Sequence, residues 1–347
     1  MFSFRTTTIE EQLDRSLTEG KVGVFCTQNC WNAFTGKYLY EVFRERGNLE
    51  KVFMPDGEHI EFTPEELACL DAVVVEIQDI GSRYFGYTID VLRLISTLNN
   101  LPEGKVSLYI VDHPNPAGRD VEGTLPAGES DVWTPNVAHR HGLTLGELAH
   151  LYHSETGSSY PLHIISAYAS ASNRTLLPWV IPPAADMSGM FTPFVYSGSS
   201  LWTDTTITPA IGTTRPYEMF GAPFIKPVNA NAPVPEGVYL RPCSFIPEYG
   251  KYEGEKCYGF QIILMPETHY HSILHTIRLM RYFSERYSQF EIAESLYTRL
   301  ADPVMSEYLK GRITFDIVEE HVKSDEQKWI RKAKRYLLYD DSPCRIK

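Results

Sequence analysis

Short apolar runs recur at regular intervals along the first half of the chain. Runs rich in β-branched residues predict five strands, at positions 21–26, 49–54, 71–78, 106–112 and 162–168. The run at 71–78 is continuously apolar over much of its length, which is typical of a strand buried on both faces.

Helical patterns fill the intervals between these runs. Residues 34–47 and 87–100 have the apolar spacing of amphipathic helices. Thr63 is followed by a proline and then a glutamate, and Thr144 is followed three residues later by Glu147, so each threonine is predicted to cap a helix. Strand and helix in alternation predict the α/β fold class, with a Rossmann-like, mostly parallel sheet covered by helices on both faces.

The pattern changes after the fifth predicted strand. Residues 178–247 combine many prolines with aromatic residues, which favours ordered loops and short strands. Two helical stretches follow, at 271–287 and 326–339. We therefore predict a Rossmann-like α/β domain over residues 1–172 and a smaller α+β domain over 173–347.

Charge and composition narrow the range of partners. The 347 residues include 32 Lys plus Arg against 44 Asp plus Glu, a formal charge of −12, which disfavours binding to nucleic acid or anionic membranes. Neither a signal peptide nor a long apolar segment is recognisable, and the six cysteines are scattered. These features predict a soluble, cytoplasmic protein with free thiols and no membrane partner.

Polar side chains follow four successive predicted strands. Ligands of open parallel sheets bind beyond the carboxyl ends of the strands, where the strand order reverses. The residues delivered there are Thr27, Gln28 and Asn29; Asp56, Glu58 and His59; Gln78 and Asp79; and Asp112, His113 and Asn115. The alternative is that loops are simply polar, but four consecutive polar strand ends favour a ligand site.

Further candidates lie in the loops. Arg83 has aromatic neighbours and suits a sugar ring or a carboxylate, or else it only fixes its loop by pairing with Asp79. Glu122 belongs to a long rigid loop, and His141 precedes the Thr144 cap as a proton acceptor or a capping neighbour. The later candidates Thr214 and Arg215 form a small group suited to an anion.

Several familiar templates are missing from the sequence. There is no GxGxxG after the first strand, no GxxxxGK[ST] and no GxSxG, so we expect no nucleotide cofactor and no serine-hydrolase elbow. His271 and His275 have the i, i+4 spacing of metal ligands, with His269 nearby, but no HExxH pattern accompanies them. We therefore expect no metal at these histidines.

Six blocks of sequence together resemble one known family. They are EIQDIGSRYFGYT, VDHPNPAG with the following EGT, RHGLTLGELA, GTTRPYEMFGAPFI with LRPCSFIPEYGKYEGEKCYGFQI, and the terminal KRYLLY. The chain resembles the NamZ-like exo-β-N-acetylmuramidases from about residue 20 to 340. The resemblance implies a Rossmann-like domain, a second domain, and an active site in the cleft between them. It also implies hydrolytic removal of terminal N-acetylmuramic acid from peptidoglycan fragments, as in cell wall recycling, without a nucleotide cofactor.

The chain departs from the family at its proposed catalytic motif. The family has a glutamate in PEHG at the end of the second strand, and here Pro55 matches while Asp56 falls where that glutamate stands. A Glu-His pair recurs at Glu58 and His59, and about two dozen family residues before Thr63 are missing. The resemblance therefore implies Asp56, Glu58 and His59 as catalytic candidates.

Other departures affect the same region. Thr203, Pro209 and Ile211 replace two carboxylates and an arginine of the family pattern, and His113 stands where the family commonly has arginine. Two functions follow. The first is a glycoside hydrolase acting on amino sugars or muropeptides from peptidoglycan, and the second is a degenerate relative that binds such a ligand without cleaving it. A metal-dependent hydrolase centred on Asp112 and His113 is a third reading.

In the first hypothesis Asp56 or Glu58 donates the proton to the leaving oxygen, assisted by His59 or His141, with Asp79 or Asp112 as its polar partner. The residues expected to bind the substrate, including its lactyl carboxylate, are Gln78, Asp79, Arg83, Asp112, Asn115, Glu122, His141, Thr214 and Arg215.

Overall fold

The computed structural model describes most of the chain. The described residues are 12–13, 17, 19–33, 35–55, 60–102, 105–128, 134–167, 179–226, 232–266 and 268–339.

Five parallel strands form the larger of two sheets. They are β1 (Val22–Cys26), β2 (Leu49–Phe53), β3 (Ala72–Glu76), β4 (Ser107–Asp112) and β5 (Leu162–Ser166), in the spatial order β2-β1-β3-β4-β5. Every neighbouring pair is parallel, and the last residue of β3 lies beside the ends of β1 and β4. All five strands coincide with the apolar runs read from the sequence.

The helices of this half begin where local capping chemistry places them. They are α1 (Leu39–Arg46), α2 (Pro64–Ala68), α3 (Gly86–Asn99) and α4 (Leu145–Glu155). The Thr63 hydroxyl accepts from the Glu66 N–H at 3.3 Å, and Thr144 and Glu147 form the predicted capping box. Helix α1 begins later than its pattern suggested, because Asn32 and Lys37 pair in an isolated bridge before it.

Alternate residues of the strands pack into two apolar layers. Phe25, Val73 and Val75 face α3, α4 and the late-chain Trp329, whereas Val24 and Val74 face α1 on the other side. The sheet is thus covered by helices on both faces, as its strand composition predicted.

A smaller antiparallel sheet and further helices make up the second half. The strands are β6 (Met219–Ala222), β7 (Val238–Phe245) and β8 (Cys257–Leu264), in the order β6-β8-β7. The helices are α5 (Thr192–Ser199), followed by a 3-10 turn (Ser200–Asp204), α6 (Ser272–Ser284), α7 (Glu294–Leu300), α8 (Pro303–Leu309) and α9 (Phe315–Ala333). Their core centres on the fully buried Trp202, which stacks on Phe220 at a centroid distance of 5.0 Å.

The predicted fold class is confirmed, an α/β parallel sheet with a smaller α+β part. The boundary at residues 172 and 173 stays a prediction. Helix α9 crosses back to the first sheet, where the buried Trp329 Nε1 donates to the carbonyl of His141 at 2.8 Å. The stretch predicted as a helix over 326–339 is the later part of this longer helix, which ends at Ala333.

Two further observations concern membrane-spanning helices and cysteines. None of their helices is long and apolar enough to cross a membrane. Five of the cysteines lie among them and all five are free thiols, whereas Cys344 lies outside.

Candidate active site

The carboxyl ends of β1, β3 and β4 meet at one edge of the parallel sheet, which we call the carboxyl edge. The chain leaves β1 toward β2 on one side and later enters β3 on the other, so the strand order reverses between β1 and β3. At the end of β1, Gln28 is exposed and Asn29 donates from Nδ2 to the carbonyl of Ile181 at 2.6 Å. Open parallel sheets bind ligands at such a reversal.

The last residue of β3 is a buried carboxylate that the sequence reading missed. Glu76 is 4 % exposed, and its Oε1 lies 3.7 Å from Nε2 of His113, which follows β4. The sequence did contain a signal for it. Glu76 is a charged residue at the end of an apolar run of the kind that is buried on both faces. The geometry places this carboxylate and an imidazole together at the strand-order reversal.

The three predicted catalytic residues, Asp56, Glu58 and His59, lie outside the described residues. The described chain reaches Pro55 after β2, whose last residue, Phe53, pairs with Phe25 of β1. The catalytic role of these three residues therefore stays a prediction.

The pair Gln78 and Asp79 holds the loop after β3 in place. Gln78 Nε2 donates to the carbonyl of Pro114 at 3.0 Å, and Asp79 accepts from the Gly81 N–H at 2.8 Å and the Thr88 hydroxyl at 2.6 Å. Nε2 of the fully buried His141 lies 3.4 Å from Asp79 Oδ2, outside hydrogen-bond geometry. Asp79 and His141 are thus brought together, inside the protein rather than at its surface.

Asp112 binds three donors at the end of β4. Its carboxylate accepts from the Thr144 hydroxyl at 2.7 Å, the Gly146 N–H at 2.8 Å and the Tyr339 hydroxyl at 2.6 Å. Burial raises the pKa of Asp112 to about 6, although these three hydrogen bonds oppose the rise. These hydrogen bonds connect the end of β4 to the start of α4 and to Tyr339 near the end of the described chain.

Arg83 is fully buried between the two halves of the chain. Its guanidinium donates to the carbonyl of Thr124 at 2.8 Å and to that of Leu300 at 2.6 Å, and it contacts His139 Nε2 at 2.8 Å. Burial, followed by the charge of Arg83, lowers the pKa of His139 well below its ordinary value. The geometry favours the reading that Arg83 fixes its loop, with carbonyl groups as acceptors instead of the suggested Asp79.

Asn115 and Glu122 are also engaged by the protein itself. Asn115 Nδ2 donates to the carbonyl of Leu143 at 2.9 Å. Glu122 is 2 % exposed and pairs with Arg140 at 2.7 Å, and its other oxygen accepts from the N–H and the hydroxyl of Ser272. Glu122 therefore caps α6 of the second half. A sugar could bind this carboxylate only by displacing its hydrogen bonds with Ser272.

The loop of Thr214 and Arg215 is different because it is exposed. The Arg215 side chain is 57 % exposed, and its Nη1 donates at 2.8 Å to Oε2 of the buried Glu218. Glu218 is held in turn by the Thr192 hydroxyl at 2.8 Å. Non-glycine residues with positive φ bound this loop, Ala210 at 58° and Tyr217 at 65°. Arg215 thus presents an oriented cation, and Thr214 is exposed beside it.

The histidines considered as metal ligands make other contacts. His271 Nε2 lies 2.8 Å from Glu326, and His275 bonds Tyr270 and a carbonyl. Among the described residues, Asp302, His321 and Asp325 have ligand atoms within 4.8 Å of one another. Asp302 caps α8 and binds His321, and Asp325 binds Lys328, so protein contacts account for this group.

The fold and the carboxyl edge define a class of protein. The parallel sheet is doubly wound, polar side chains gather at its strand-order reversal, and an α+β half is joined to it. This is the architecture of two-part α/β proteins, a class whose small-molecule ligands bind at that edge.

Comparisons with known proteins identify the family within this class. The N-terminal model of the exo-β-N-acetylmuramidase NamZ matches residues 36–188, and the C-terminal model matches residues 194–339. The chain belongs to this NamZ family. It is 27 % identical over 292 residues to the peptidoglycan β-N-acetylmuramidase NamZ of Bacillus subtilis (strain 168). The aligned region covers 80 % of this chain and 69 % of that protein.

Two solved structures share the fold. One DUF1343-family protein from Bacteroides fragilis has a TM-score of 0.82 at 20 % identity, covering 97 % of this chain and all of its own. A second from the same organism has a TM-score of 0.75 at 20 % identity, covering 95 % of this chain and 98 % of its own. The two family models confirm the resemblance read from the sequence blocks.

Proposed function

We propose that this protein is a glycoside hydrolase that releases terminal N-acetylmuramic acid from peptidoglycan-derived fragments. At the level of the family, exo-β-N-acetylmuramidase-like chemistry follows from the two matching models. The substrate and the catalytic competence of this particular chain are our proposal. Either Asp56 or Glu58 donates the proton to the leaving oxygen, as the shortened family motif suggests.

The observation that carries the choice of sugar is the exposed guanidinium of Arg215. N-acetylmuramic acid differs from other amino sugars of the cell wall by its lactyl carboxylate. A guanidinium has five N–H donors, and the 2.8 Å bond from Nη1 to Glu218 uses one of them, which leaves donors for a carboxylate. The buried Glu218 holds this group in one orientation, which lowers the entropic cost of binding.

A continuous segment of chain links Arg215 to the carboxyl edge. Asn29 at the end of β1 binds the carbonyl of Ile181, and Thr192, eleven positions later, binds Glu218 beneath Arg215. Between them, Asp186 accepts from the hydroxyl of Tyr249 in the second half at 2.7 Å. These contacts support placing the sugar between the carboxyl edge and the loop of Arg215.

The alternative function is a relative that binds a muropeptide or related sugar without hydrolysis. Thr203, which replaces a family carboxylate, donates its hydroxyl to the carbonyl of Ser200 at 2.7 Å and accepts from Arg299 at 2.6 Å. A threonine has no carboxylate to offer a substrate, and the hydroxyl of Thr203 is already bound within the protein. This observation favours the alternative.

The test compares two chromogenic substrates, the nitrophenyl β-glycosides of N-acetylmuramic acid and of N-acetylglucosamine. We expect nitrophenol release from the muramide. Arg215→Gln should lower kcat/KM for the muramide roughly 10- to 100-fold, the effect of losing a charge-assisted contact, and should change the glucosaminide little. Arg241→Gln is the matched control, because Arg241 is an exposed arginine of β7 that binds Gln261.

The same assay decides between the two functions. Binding of N-acetylmuramic acid in calorimetry without any nitrophenol release would establish the alternative and reject hydrolysis. The acid needs a substrate with a sugar leaving group, because nitrophenol leaves without being protonated. Release of N-acetylmuramic acid from a muropeptide that survives both Asp56→Asn and Glu58→Gln, each made separately, would reject the assignment of the acid to this segment.

A further inference from the structure

Glu76 is unlike the other buried carboxylates in the part of the chain that the structure describes. Asp79, Asp112 and Glu122 each accept at least two hydrogen bonds from neighbouring groups. The carboxylate of Glu76 accepts none from the described residues, although its side chain is only 6 % exposed. Burying a carboxylate without hydrogen bonds is costly, so a group in this state points to a ligand or to chemistry.

Among the described residues, one basic side chain lies within ion-pair distance of Glu76. The thiols of Cys26 and Cys30 lie on the β1 side, and burial, with the charge of Glu76 as a second cause, raises the pKa of both. Protonated thiols supply no positive charge. The basic side chain beside Glu76 is His113, whose Nε2 lies 3.7 Å from Glu76 Oε1 and whose side chain is 19 % exposed. His113 therefore lies between the buried carboxylate and solvent.

The position of Glu76 is the one where a substrate is expected. It is the last residue of β3 and pairs in register with Cys26 at the end of β1 and Val111 near the end of β4. The strand order reverses between β1 and β3, so Glu76 lies at the point of the carboxyl edge where such sheets bind ligands.

We propose that Glu76 is the second carboxylate of this site, which activates the attacking water, and that His113 positions it and relays its proton. The proposal rests on the proposed function, because glycoside hydrolysis needs an acid and a second carboxylate. The acid protonates the glycosidic oxygen, and the bond from that oxygen to C1 breaks with its electron pair moving to the oxygen. Water adds to C1, and its proton passes to Glu76 and then through His113 to solvent.

The first experiment measures hydrolysis of the nitrophenyl muramide by Glu76→Ala and Glu76→Gln. We expect kcat to fall roughly 10²- to 10⁴-fold, the usual contribution of a general base. Azide, a nucleophile that needs no deprotonation, should restore nitrophenol release by Glu76→Ala with formation of the glycosyl azide. Glu65→Ala, an exposed carboxylate of α2, is the matched control. Unchanged kcat in both Glu76 variants would overturn the proposal.

His113→Gln tests the positioning role. We expect kcat to fall roughly 10-fold with KM little changed, because His113 acts through Glu76 and does not hold the sugar. His163→Gln on β5, an exposed histidine away from the carboxyl edge, is the control. Equal effects of the two histidine variants would remove His113 from the proposal.

A binding measurement separates this proposal from the proposed function. A protonated iminosugar analogue of N-acetylmuramic acid mimics the positive charge that develops at C1, whereas N-acetylmuramic acid itself carries none there. Calorimetry should show at least a 10-fold loss of iminosugar affinity in Glu76→Gln and no comparable loss for the neutral-ring sugar. This result supports Glu76 even if the wild type hydrolyses no muramide. Hydrolysis by the wild type combined with Glu76-independent iminosugar binding would overturn Glu76 and leave the proposed function standing.

Discussion

The carboxylate of Glu122 accepts a 2.7 Å hydrogen bond from the backbone N–H of Ser272, 150 residues further along the chain. The same carboxylate pairs with the buried Arg140 at 2.7 Å. A side chain of the first half therefore caps a helix of the second half, and the relative position of the carboxyl edge and the second half depends on this contact.

Removing the Glu122 carboxylate should weaken the whole fold. Glu122→Ala leaves Arg140 buried without its partner and α6 without its cap, so we expect the free energy of unfolding to fall by about 3 kcal/mol or more. Urea denaturation followed by circular dichroism measures the change. The exposed Glu255→Ala should be nearly neutral. Similar denaturation midpoints for the two variants would contradict the capping role.

Asp112 should make stability depend on pH in the acidic range. Its pKa in the folded protein, about 6, lies above the value of about 3.9 in an unfolded chain. The folded state therefore holds this proton more tightly, and the associated stability is present below pH 4 and is lost as the pH rises through 6. Asp112→Asn does not titrate. The free energy of unfolding of Asp112→Asn minus that of wild type should increase by about 2–3 kcal/mol between pH 4 and pH 7, measured in parallel urea titrations. A difference that is constant over this range would contradict the shift.

His271 should also make the stability of the fold depend on pH, at higher pH than Asp112 does. Burial alone lowers its pKa, but the hydrogen bond to Glu326 and the charges of Glu122 and Glu326 outweigh this effect, so the net pKa is raised. The stability is therefore present below the unfolded-state value of about 6.5 and is lost as the pH rises through the folded-state pKa. We expect His271→Gln to lower the melting temperature more at pH 6 than at pH 9.

The control for this measurement is the neighbouring His269, whose side chain is 80 % exposed. His269→Gln should lower the melting temperature little and equally at both pH values. Identical pH behaviour of the two variants would rule out a special role for His271.

Gly198 should not tolerate a side chain. A Cβ at this position of α5 would lie 2.2 Å from the backbone carbonyl oxygen of Ser272 in α6. Gly198→Ala should therefore destabilise the protein by roughly 1–3 kcal/mol, the usual range for overpacking, as the two helices are forced apart. Gly189→Ala is the matched control, since a Cβ there meets nothing within 4 Å. Thermal unfolding of both variants decides the point, and equal melting temperatures would contradict the close approach.

The parallel sheet could be predicted because its signals are local. A buried strand such as β3 needs a short run of apolar residues, and the cap at Thr144 needs only Glu147 three positions later. The sequence also predicts that the polar residues after these strands lie close together, because parallel strands end at the same edge of the sheet. Helix α9 is an intermediate case, because its first turns carry weaker patterning and depend on burial of residues such as Val318 and Val322.

The sequence by itself determined the five strands of the parallel sheet, the caps at Thr63 and Thr144, the fold class and the family of this protein. The tertiary structure decided which polar residues remain free for chemistry. Arg83 donates to the carbonyl of Leu300, 217 residues away. Glu76, whose local pattern showed only a charge at the end of an apolar run, has its Oε1 3.7 Å from Nε2 of His113. The physical reason is that the state of a buried polar group depends on its partners, and packing brings those partners from distant parts of the chain.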